Sequence, residues 1–257
     1  FSILKELISE QFAKKGEEII TKNIQASQSG FDSVKTQYPE GYKLKIPKKG
    51  SSVPQLYLTG NDAIGLGAIA AGCKLYVAYP MTPSSALLHY LAAKAESSGM
   101  VVKHAEDEIS VINMALGGSW AGVRSMVGTS GGGFALMVES VSLAGITEPP
   151  IVIVMGQRPG PATGMPTWTE QGDLLFLLHA GHGEFPKILL APGDVEEAYK
   201  LTIEAFNLAD IYQTPVFVIG DKYMQEGHQS VEKFKIADFK FQIDRGKLLT
   251  QEDLDKL

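Results

Sequence analysis

The chain has 257 residues, of which 44% are apolar and 20% charged, with a formal net charge of −6. This composition is typical of a globular protein and excludes disorder, collagen and coiled coil as descriptions of the whole chain. The acidic balance offers no basic cluster for DNA or RNA, so we expect no nucleic-acid partner. We see no secretory signal, and the longest uncharged run, Leu75–Ala93, is interrupted by prolines and serines. We therefore expect no membrane contact and a cytoplasmic location.

One cysteine, Cys73, is present in these residues. A disulfide needs two thiols and an iron–sulfur cluster needs several, so neither is expected on this chain. His179 and His182 lie three residues apart near Glu184, but no third well-spaced ligand accompanies them. We expect no metal site here.

Residues 1–43 carry apolar side chains at helical spacing, which predicts short amphipathic helices. Residues 44–55 contain Pro, Gly and Ser and are interpreted as a linker. Residues 56–230 alternate between strand-length and helix-length segments, and the charged tail at 231–257 is expected to lead into a further domain or partner. Several predicted strands lack period-two alternation, as expected of strands buried on both faces. The sequence thus predicts an α/β fold with a doubly wound, mostly parallel sheet covered by helices on both faces.

The predicted strands are Leu75–Tyr79, Met100–Lys103, Ser125–Thr129, Ile151–Met155, Lys187–Leu190 and Pro215–Ile219. The predicted helices are Asp62–Gly72, Ser84–Ser97, Glu108–Trp120, Phe134–Gly145 and Val195–Leu208. A long gap between Gly156 and Pro186 is rich in Gly and Pro, and a loop of this length in a compact domain is usually functional.

Gly65-Leu-Gly67-Ala-Ile-Ala70 matches the relaxed dinucleotide-binding pattern G-x-G-x-x-A. Asn61 or Asp62 is the predicted N-cap of this helix, which places both glycines inside the helix, where close packing explains them. The following strand also ends without the acid that would bind a ribose. A nucleotide-binding dehydrogenase is therefore a minor alternative.

Three further segments follow predicted strands at the edge where α/β sheets bind ligands. The turn YPMTPSS at 79–85 offers hydroxyls and N–H groups for a carboxylate, although an ordinary turn capped by Ser84 explains it equally well. The triple glycine at 131–133 exposes N–H groups for an anion or cofactor, or forms a flexible turn. Arg158 could bind a carboxylate or lie in solvent.

The acids Glu106, Asp107 and Glu108 precede an apolar-periodic helix rich in Ala and Gly. Acids are favourable in the first turn of any helix, which explains most of this cluster without a further role. A carboxyl that is desolvated against such a helix would have a raised pKa suited to acid–base chemistry.

Together these motifs resemble the α subunit of 2-oxoacid:ferredoxin oxidoreductases, particularly the 2-oxoglutarate branch. The resemblance covers about residues 56–223, and residues 1–49 resemble the end of a γ domain that is fused ahead of α in many members. The motifs that carry it are GND-A-x-x-x-GAIAAG, YPMTPSS, AEDE-x-x-x-INMA, GTSGGG, QRPGPATG-x-PT, EQGDL and HAGHGEFP.

The resemblance implies a thiamine diphosphate-binding fold, specifically its pyrimidine-binding domain. Glu108 matches the family's catalytic glutamate, which meets N1′ of the aminopyrimidine and favours its imino tautomer. Thr82, Arg158 and Thr167 match positions around the substrate. Cofactor-binding positions are implied at Tyr79, Pro80, Glu108, Thr129, Ser130 and Gly131.

The Gly-Asp-Gly signature that holds the diphosphate through Mg²⁺ is missing, as are cluster cysteines. The resemblance implies that Mg²⁺ and a [4Fe-4S] cluster are carried by a β subunit, that the active site lies between chains, and that αβ units dimerise. The implied reaction converts a 2-oxoacid and CoA to acyl-CoA, CO₂ and reduced ferredoxin, and this chain alone is expected to be inactive. A pyruvate or branched-chain enzyme and a non-catalytic scaffold subunit remain alternatives.

Overall fold

The computed structural model describes three stretches of the chain, residues 1–41, 55–232 and 243–256. The chain divides into two compact units, Phe1–Ser52 and Val53–Leu257. The linker predicted at 44–55 falls outside the described residues except for its last position. The first part of the predicted tail, residues 233–242, also falls outside them.

The first unit contains a hairpin of two helices. Helix α1 (Ser2–Phe12) is followed by one 3-10 turn and by α2 (Glu17–Gln37), and the two α-helices pack on each other. Gly16 precedes α2 with a φ of 90°, a left-handed conformation that glycine adopts without steric cost. The rings of Phe1 and Phe31 lie 5.3 Å apart between centroids and join the open end of the hairpin. The apolar spacing of this region predicts these helices.

The second unit contains eight strands among its described residues: β1 (Gln55–Thr59), β2 (Leu75–Ala78), β3 (Val101–His104), β4 (Ser125–Thr129), β5 (Ile151–Gln157), β6 (Ile188–Leu190), β7 (Pro215–Asp221) and β8 (His228–Glu232). The helices between and after them are α3 (Gly60–Ala70), α4 (Ser85–Ser98), α5 (Glu108–Trp120), α6 (Gly131–Thr147), α7 (Leu174–His179), α8 (Val195–Tyr212), α9 (Lys222–Glu226) and α10 (Gln251–Leu254).

Strands β2 to β7 form one parallel sheet in the order β3-β2-β4-β5-β7-β6. Successive side chains of a strand point to opposite faces, so Val152 and Val154 of β5 lie in one core while Ile151 and Ile153 lie in the other. The first core contains α3, α4 and α8, and the second contains α5, α6 and α7. Each fully buried Ile or Leu contributes about 2 kcal/mol to folding. The predicted doubly wound α/β fold is confirmed.

Helix α3 begins earlier than the sequence analysis predicts. Its N-cap is Thr59, whose hydroxyl accepts a hydrogen bond from the N–H of Asp62, while the Asp62 carboxylate accepts one from the N–H of Thr59. The predicted N-cap at Asn61 or Asp62 is therefore wrong, because Asp62 serves as the reciprocal partner of a capping box. The glycines of the dinucleotide pattern do lie inside α3. A Cβ on Gly67 would lie 2.6 Å from the carbonyl oxygen of Tyr199 in α8, so these glycines allow close helix packing.

Strands β1 and β8 form a separate antiparallel ribbon that the sequence analysis missed. Gln55 lies opposite Glu232 and Thr59 opposite His228. The ring of Tyr57 stacks on that of His228 at 4.8 Å between centroids. Each strand has a mixed polar pattern, which is a weak signal until its partner is known. Among the described residues, no helix combines the length and apolar character needed to cross a bilayer.

Candidate functional site

The connections of the sheet diverge at β2, because β3 lies on one side of β2 and β4 on the other. Such a switch point opens a crevice at the carboxyl edge of the strands, where α/β proteins bind ligands. The segments 79–85, 104–108 and 128–133 follow β2, β3 and β4 at this edge. The segment 157–167 follows β5, the next strand along. The topology therefore gathers these four segments at one edge of the sheet.

Glu108 is the first residue of α5 and is only 4% exposed. The helix is capped by the preceding residue, since the Asp107 carboxylate accepts a hydrogen bond of 2.6 Å from the N–H of Ser110. Glu108 is thus not needed as a cap, and its side chain lies with Thr129 against Gly133 of α6. Its Oε1 atom is buried without a hydrogen-bond partner among the described residues. A buried unpaired carboxyl oxygen is costly, so this atom is suited to a polar ligand.

Burial raises the pKa of the Glu108 carboxyl, and the neighbouring charge of Asp107 raises it further. Asp107 itself shows the opposite behaviour, because the hydrogen bond from Ser110 lowers its pKa. The two adjacent acids are therefore separated into a charged cap and a group that holds a proton more readily. A carboxyl of the second kind can share a proton with a ring nitrogen.

The three glycines at 131–133 each face a different element. A Cβ on Gly131 would lie 2.9 Å from Oδ1 of Asp173, and one on Gly132 would lie 3.2 Å from the carbonyl oxygen of Ala162. A Cβ on Gly133 would lie 2.5 Å from Oε1 of Glu108. The alternative of a flexible glycine turn is therefore wrong, and so is the predicted helix start at Phe134, because the glycines form the first turn of α6 directly after Ser130. Their lack of side chains lets three neighbours approach the helix.

Arg158 connects the loop after β5 to the turn after β2. Its Nη1 donates a hydrogen bond of 2.7 Å to the carbonyl oxygen of Thr82, and its Nη2 donates one of 2.9 Å to that of Thr163. A guanidinium has five N–H donors, so three are left without an acceptor among the described residues. Partial burial lowers the pKa of Arg158, although an arginine remains charged at neutral pH. The side chain is thus held in place and still able to bind an anion.

A cavity of about 290 Å³ lies between the start of α6 and the loop after β5. Its lining includes Ser130, Arg158, Asp173 and Phe176. The hydroxyl of Ser130 and Oδ2 of Asp173 are buried without partners among the described residues. Burial raises the pKa of Asp173, and the charge of Glu170 adds to the effect. The Arg158 guanidinium, the N-terminus of α6 and the Ser130 hydroxyl can all donate hydrogen bonds into the cavity, which suits an anionic ligand.

The remaining predicted positions are less directly placed. Tyr79 is half-buried with its ring 6.0 Å from that of His104, and Pro80 is exposed. Thr129 is fully buried at the end of β4. Thr167 is exposed and is not one of the described residues that line the cavity. The structure therefore joins Thr82 to Arg158 directly, whereas Thr167 is linked to them only by sharing the loop.

Two residues of the site were missed as individuals by sequence reasoning. The sequence predicts Gly133 only as a source of N–H groups and Asp173 only as part of the EQGDL motif. Neither spacing nor residue type shows that Gly133 faces Glu108 or that Asp173 faces Gly131, because both contacts join elements that are distant in sequence. Among the described residues, no group of three or more His, Cys, Asp or Glu side chains is placed to hold a metal ion.

Comparison with known proteins identifies the family of this chain. The family model described as "Pyruvate flavodoxin/ferredoxin oxidoreductase, thiamine diP-bdg" matches residues 66–253, which is most of the chain. The chain belongs to this thiamine diphosphate-binding family. The family match covers the switch-point crevice, Glu108 and the cavity at α6.

Named relatives agree with the family. The chain is 39% identical over 241 residues to 2-oxoacid:ferredoxin oxidoreductase 1, subunit alpha, of Sulfurisphaera tokodaii, a match that covers 89% of this chain and 38% of the relative. It is 42% identical over 184 residues to the 2-oxoglutarate synthase subunit KorA of Methanothermobacter thermautotrophicus, covering 72% of this chain and 48% of the relative.

A solved structure extends the likeness to three dimensions. It is that of 2-oxoglutarate:ferredoxin oxidoreductase from Magnetococcus marinus with 2-oxoglutarate, coenzyme A and succinyl-CoA bound. The TM-score is 0.84 at 37% identity, over 97% of this chain and 43% of that chain. The chain therefore spans less than half the length of each of these three family members.

Proposed function

We propose that this chain is the α-subunit portion of a thiamine diphosphate-dependent 2-oxoacid:ferredoxin oxidoreductase, active with a β subunit. The reaction converts a 2-oxoacid, CoA and two oxidised ferredoxins to acyl-CoA, CO₂, a proton and two reduced ferredoxins. The observation that carries the proposal is the buried, unpaired Oε1 of Glu108 at the switch-point crevice. Family membership supports the cofactor, and the relatives' names support the reaction class.

Glu108 fits the aminopyrimidine ring of thiamine diphosphate. Its carboxyl is buried, its Oε1 lacks a partner among the described residues, and its pKa is raised, so it can hold a proton at the ring nitrogen N1′. Gly133 leaves the room that this carboxyl occupies. When bound, thiamine diphosphate supplies the nucleophilic carbon and the electron sink for decarboxylation. The other positions proposed to contact the cofactor are Tyr79, Pro80, Thr129, Ser130 and Gly131.

Arg158 and Thr82 are proposed to bind the substrate, with Thr167 on the same loop as Arg158. The guanidinium is fixed by two backbone carbonyls and keeps N–H groups for a carboxylate. The partly buried position strengthens this charge interaction relative to one in bulk water. We favour 2-oxoglutarate as the substrate, because KorA relatives are named 2-oxoglutarate synthase subunits and the solved relative is named for the same acid.

A partner subunit is proposed to hold the diphosphate with Mg²⁺ and to carry the [4Fe-4S] cluster. The 257 residues contain one cysteine, which is buried, so they cannot supply four thiolate ligands. They also lack the Gly-Asp-Gly signature. The relatives named as alpha subunits belong to multi-subunit enzymes, which supports shared chemistry between chains.

The proposal is tested by measuring viologen reduction by the complete subunit in complex with its natural partner. We expect reduction that depends on both 2-oxoglutarate and CoA. Changing Glu108→Gln removes the proton that the carboxyl shares with the ring, and we expect turnover to fall by about 100-fold or more.

Glu106→Gln is the matched control, because Glu106 is exposed two residues earlier and should leave turnover unchanged. Full turnover by the Glu108→Gln complex would exclude the catalytic role and favour a scaffold subunit. Activity with pyruvate or a branched-chain acid in place of 2-oxoglutarate would correct the substrate.

A further inference from the structure

The turn that carries Thr82 is held by side chains from two other elements. Arg158 donates to the carbonyl oxygen of Thr82, and Nδ2 of Asn61 donates a hydrogen bond of 3.0 Å to the carbonyl oxygen of Pro83. Asn61 comes from the first turn of α3, and Arg158 follows β5. Two successive backbone carbonyls, those of Thr82 and Pro83, are thus held from different directions. Neither hydrogen bond uses the side chain of Thr82.

The far end of the same turn rests on the sheet. The hydroxyl of Ser84 donates a hydrogen bond of 2.8 Å to the carbonyl oxygen of Thr129 at the end of β4. A Cβ on Gly156 of β5 would lie 2.7 Å from Cγ of Pro83 and 2.8 Å from Oγ of Ser84. The turn therefore sits directly on the backbone of β5, two residues before Arg158.

Asn61 is itself rigidly placed. Its side chain is fully buried, and the capping box of Thr59 and Asp62 fixes the backbone on either side of it. A Cβ on the preceding Gly60 would lie 2.5 Å from Sδ of Met224. The start of α3 is thus pressed against α9, so the amide of Asn61 has little freedom to follow a turn that moves.

We infer that Asn61 is a positioning residue for the reaction, which acts by holding the Thr82–Pro83 turn at the substrate through the Pro83 carbonyl. The inference rests on the proposed function, in which Thr82 and Arg158 bind the 2-oxoacid. Because Arg158 bonds to the carbonyl of Thr82, a displaced turn moves both substrate groups together. Loss of the Asn61 bond should therefore weaken substrate binding more than it slows chemistry.

The test is a steady-state comparison of the whole α–partner complex carrying Asn61→Leu with the wild type. Leucine fills a similar volume and cannot donate to the Pro83 carbonyl. We expect the KM for 2-oxoglutarate to rise about fivefold or more, the effect of one lost hydrogen bond, while kcat changes less and the KM for CoA stays constant.

Thr202→Ala is the control for a purely structural effect. Thr202 is fully buried in α8, against α3, and its hydroxyl bonds only within its own helix among the described residues. This variant should lower the melting temperature without moving the KM for 2-oxoglutarate. An Asn61→Leu complex with an unchanged KM, or one that matches the Thr202→Ala complex, overturns the inference.

Ser84→Ala decides the question if the Asn61→Leu complex does not assemble, since the Ser84 hydroxyl fixes the same turn from the sheet. A raised KM for 2-oxoglutarate in that variant supports the inference, and an unchanged KM overturns it. A wild-type complex that is inactive with every 2-oxoacid overturns the proposed function as well, so the two failures are distinguishable.

Discussion

The carboxyl of Glu108 contributes little to the stability of the folded protein. Its Oε1 atom is buried without a partner among the described residues, and burial raises its pKa. Ionisation of such a group opposes folding, because the loss of hydration outweighs the one favourable contact of the charge, a hydrogen bond from the backbone of Glu108 itself. The residue is therefore better explained by the ligand it can meet than by stability.

A pH series measures this cost. The raised pKa means that folded Glu108 binds its proton more tightly than unfolded Glu108, so wild-type stability falls as pH rises from the unfolded to the folded pKa. Glu108→Gln removes this dependence, and we expect the variant to exceed the wild type in unfolding free energy at neutral pH but not in acid. Urea unfolding of the 257-residue chain at several pH values checks this. A difference that stays constant with pH would contradict it.

The sequence alone does not show which of the three consecutive acids is exposed, which caps the helix and which is buried. All of Glu106, Asp107 and Glu108 suit the first turn of a helix, and only the resemblance selected the last of them. The structure exposes Glu106, gives the cap to Asp107 and buries Glu108. The difference depends on the packing of α5 against α6, which local sequence does not report.

At the level of elements, the approach of α5 to α6 depends on Gly133. A Cβ there would meet Thr129 Oγ1 and lie 2.5 Å from Oε1 of Glu108, with both neighbours buried and unable to withdraw into solvent.

Gly133→Ala should therefore lower the unfolding free energy by about 1–3 kcal/mol and reduce turnover by displacing Glu108. Gly117→Ala is the matched control, because Gly117 lies inside α5 with nothing within 4 Å of the added Cβ. That change should stabilise the chain by about 0.5–1 kcal/mol. Urea denaturation and turnover assays of both variants test this prediction. Equal effects of the two changes would mean that helix propensity alone determines the outcome.

The sheet was the most predictable element. Strand β4 and helix α5 have the predicted bounds, and the other predicted strands and helices of the second unit are present with shifted ends. Continuous apolar runs carry this signal, because parallel strands are buried on both faces. Helix α7 was missed inside the long gap after β5, since its six residues LLFLLH lack a polar face. The start of α6 was missed because glycines are weak helix formers whose packing partners are far away in sequence.

At the scale of the whole second unit, a buried ion pair joins distant segments. Arg124 lies just before β4. It donates a hydrogen bond of 2.9 Å to Oδ2 of Asp210 in α8 and one of 2.8 Å to the carbonyl oxygen of Ala71 after α3. Arg124 also donates a hydrogen bond of 2.8 Å to the carbonyl oxygen of Asp244. The same side chain therefore contacts the described segment that begins at residue 243. Arg245 forms an ion pair with the same Asp210 oxygen at 2.9 Å, from a more exposed position.

Arg124→Met should lower the unfolding free energy by about 3–5 kcal/mol, because it leaves Asp210 and a buried carbonyl with fewer partners. Arg245→Met removes a partly exposed partner of the same carboxylate and should cost about 1 kcal/mol or less. Urea denaturation compares the two variants. Equal losses would mean that the buried pair contributes no more than the outer one.

The ribbon of β1 and β8 has a mechanical consequence. Its register sets Gln55 beside Glu232, so the strands run side by side from these two residues to Thr59 and His228. A force that pulls residues 55 and 232 apart would break the inter-strand bonds one after another, in zipper fashion. The ribbon would yield under a small load, while the parallel sheet with Glu108 and Arg158 at its edge would remain unstretched.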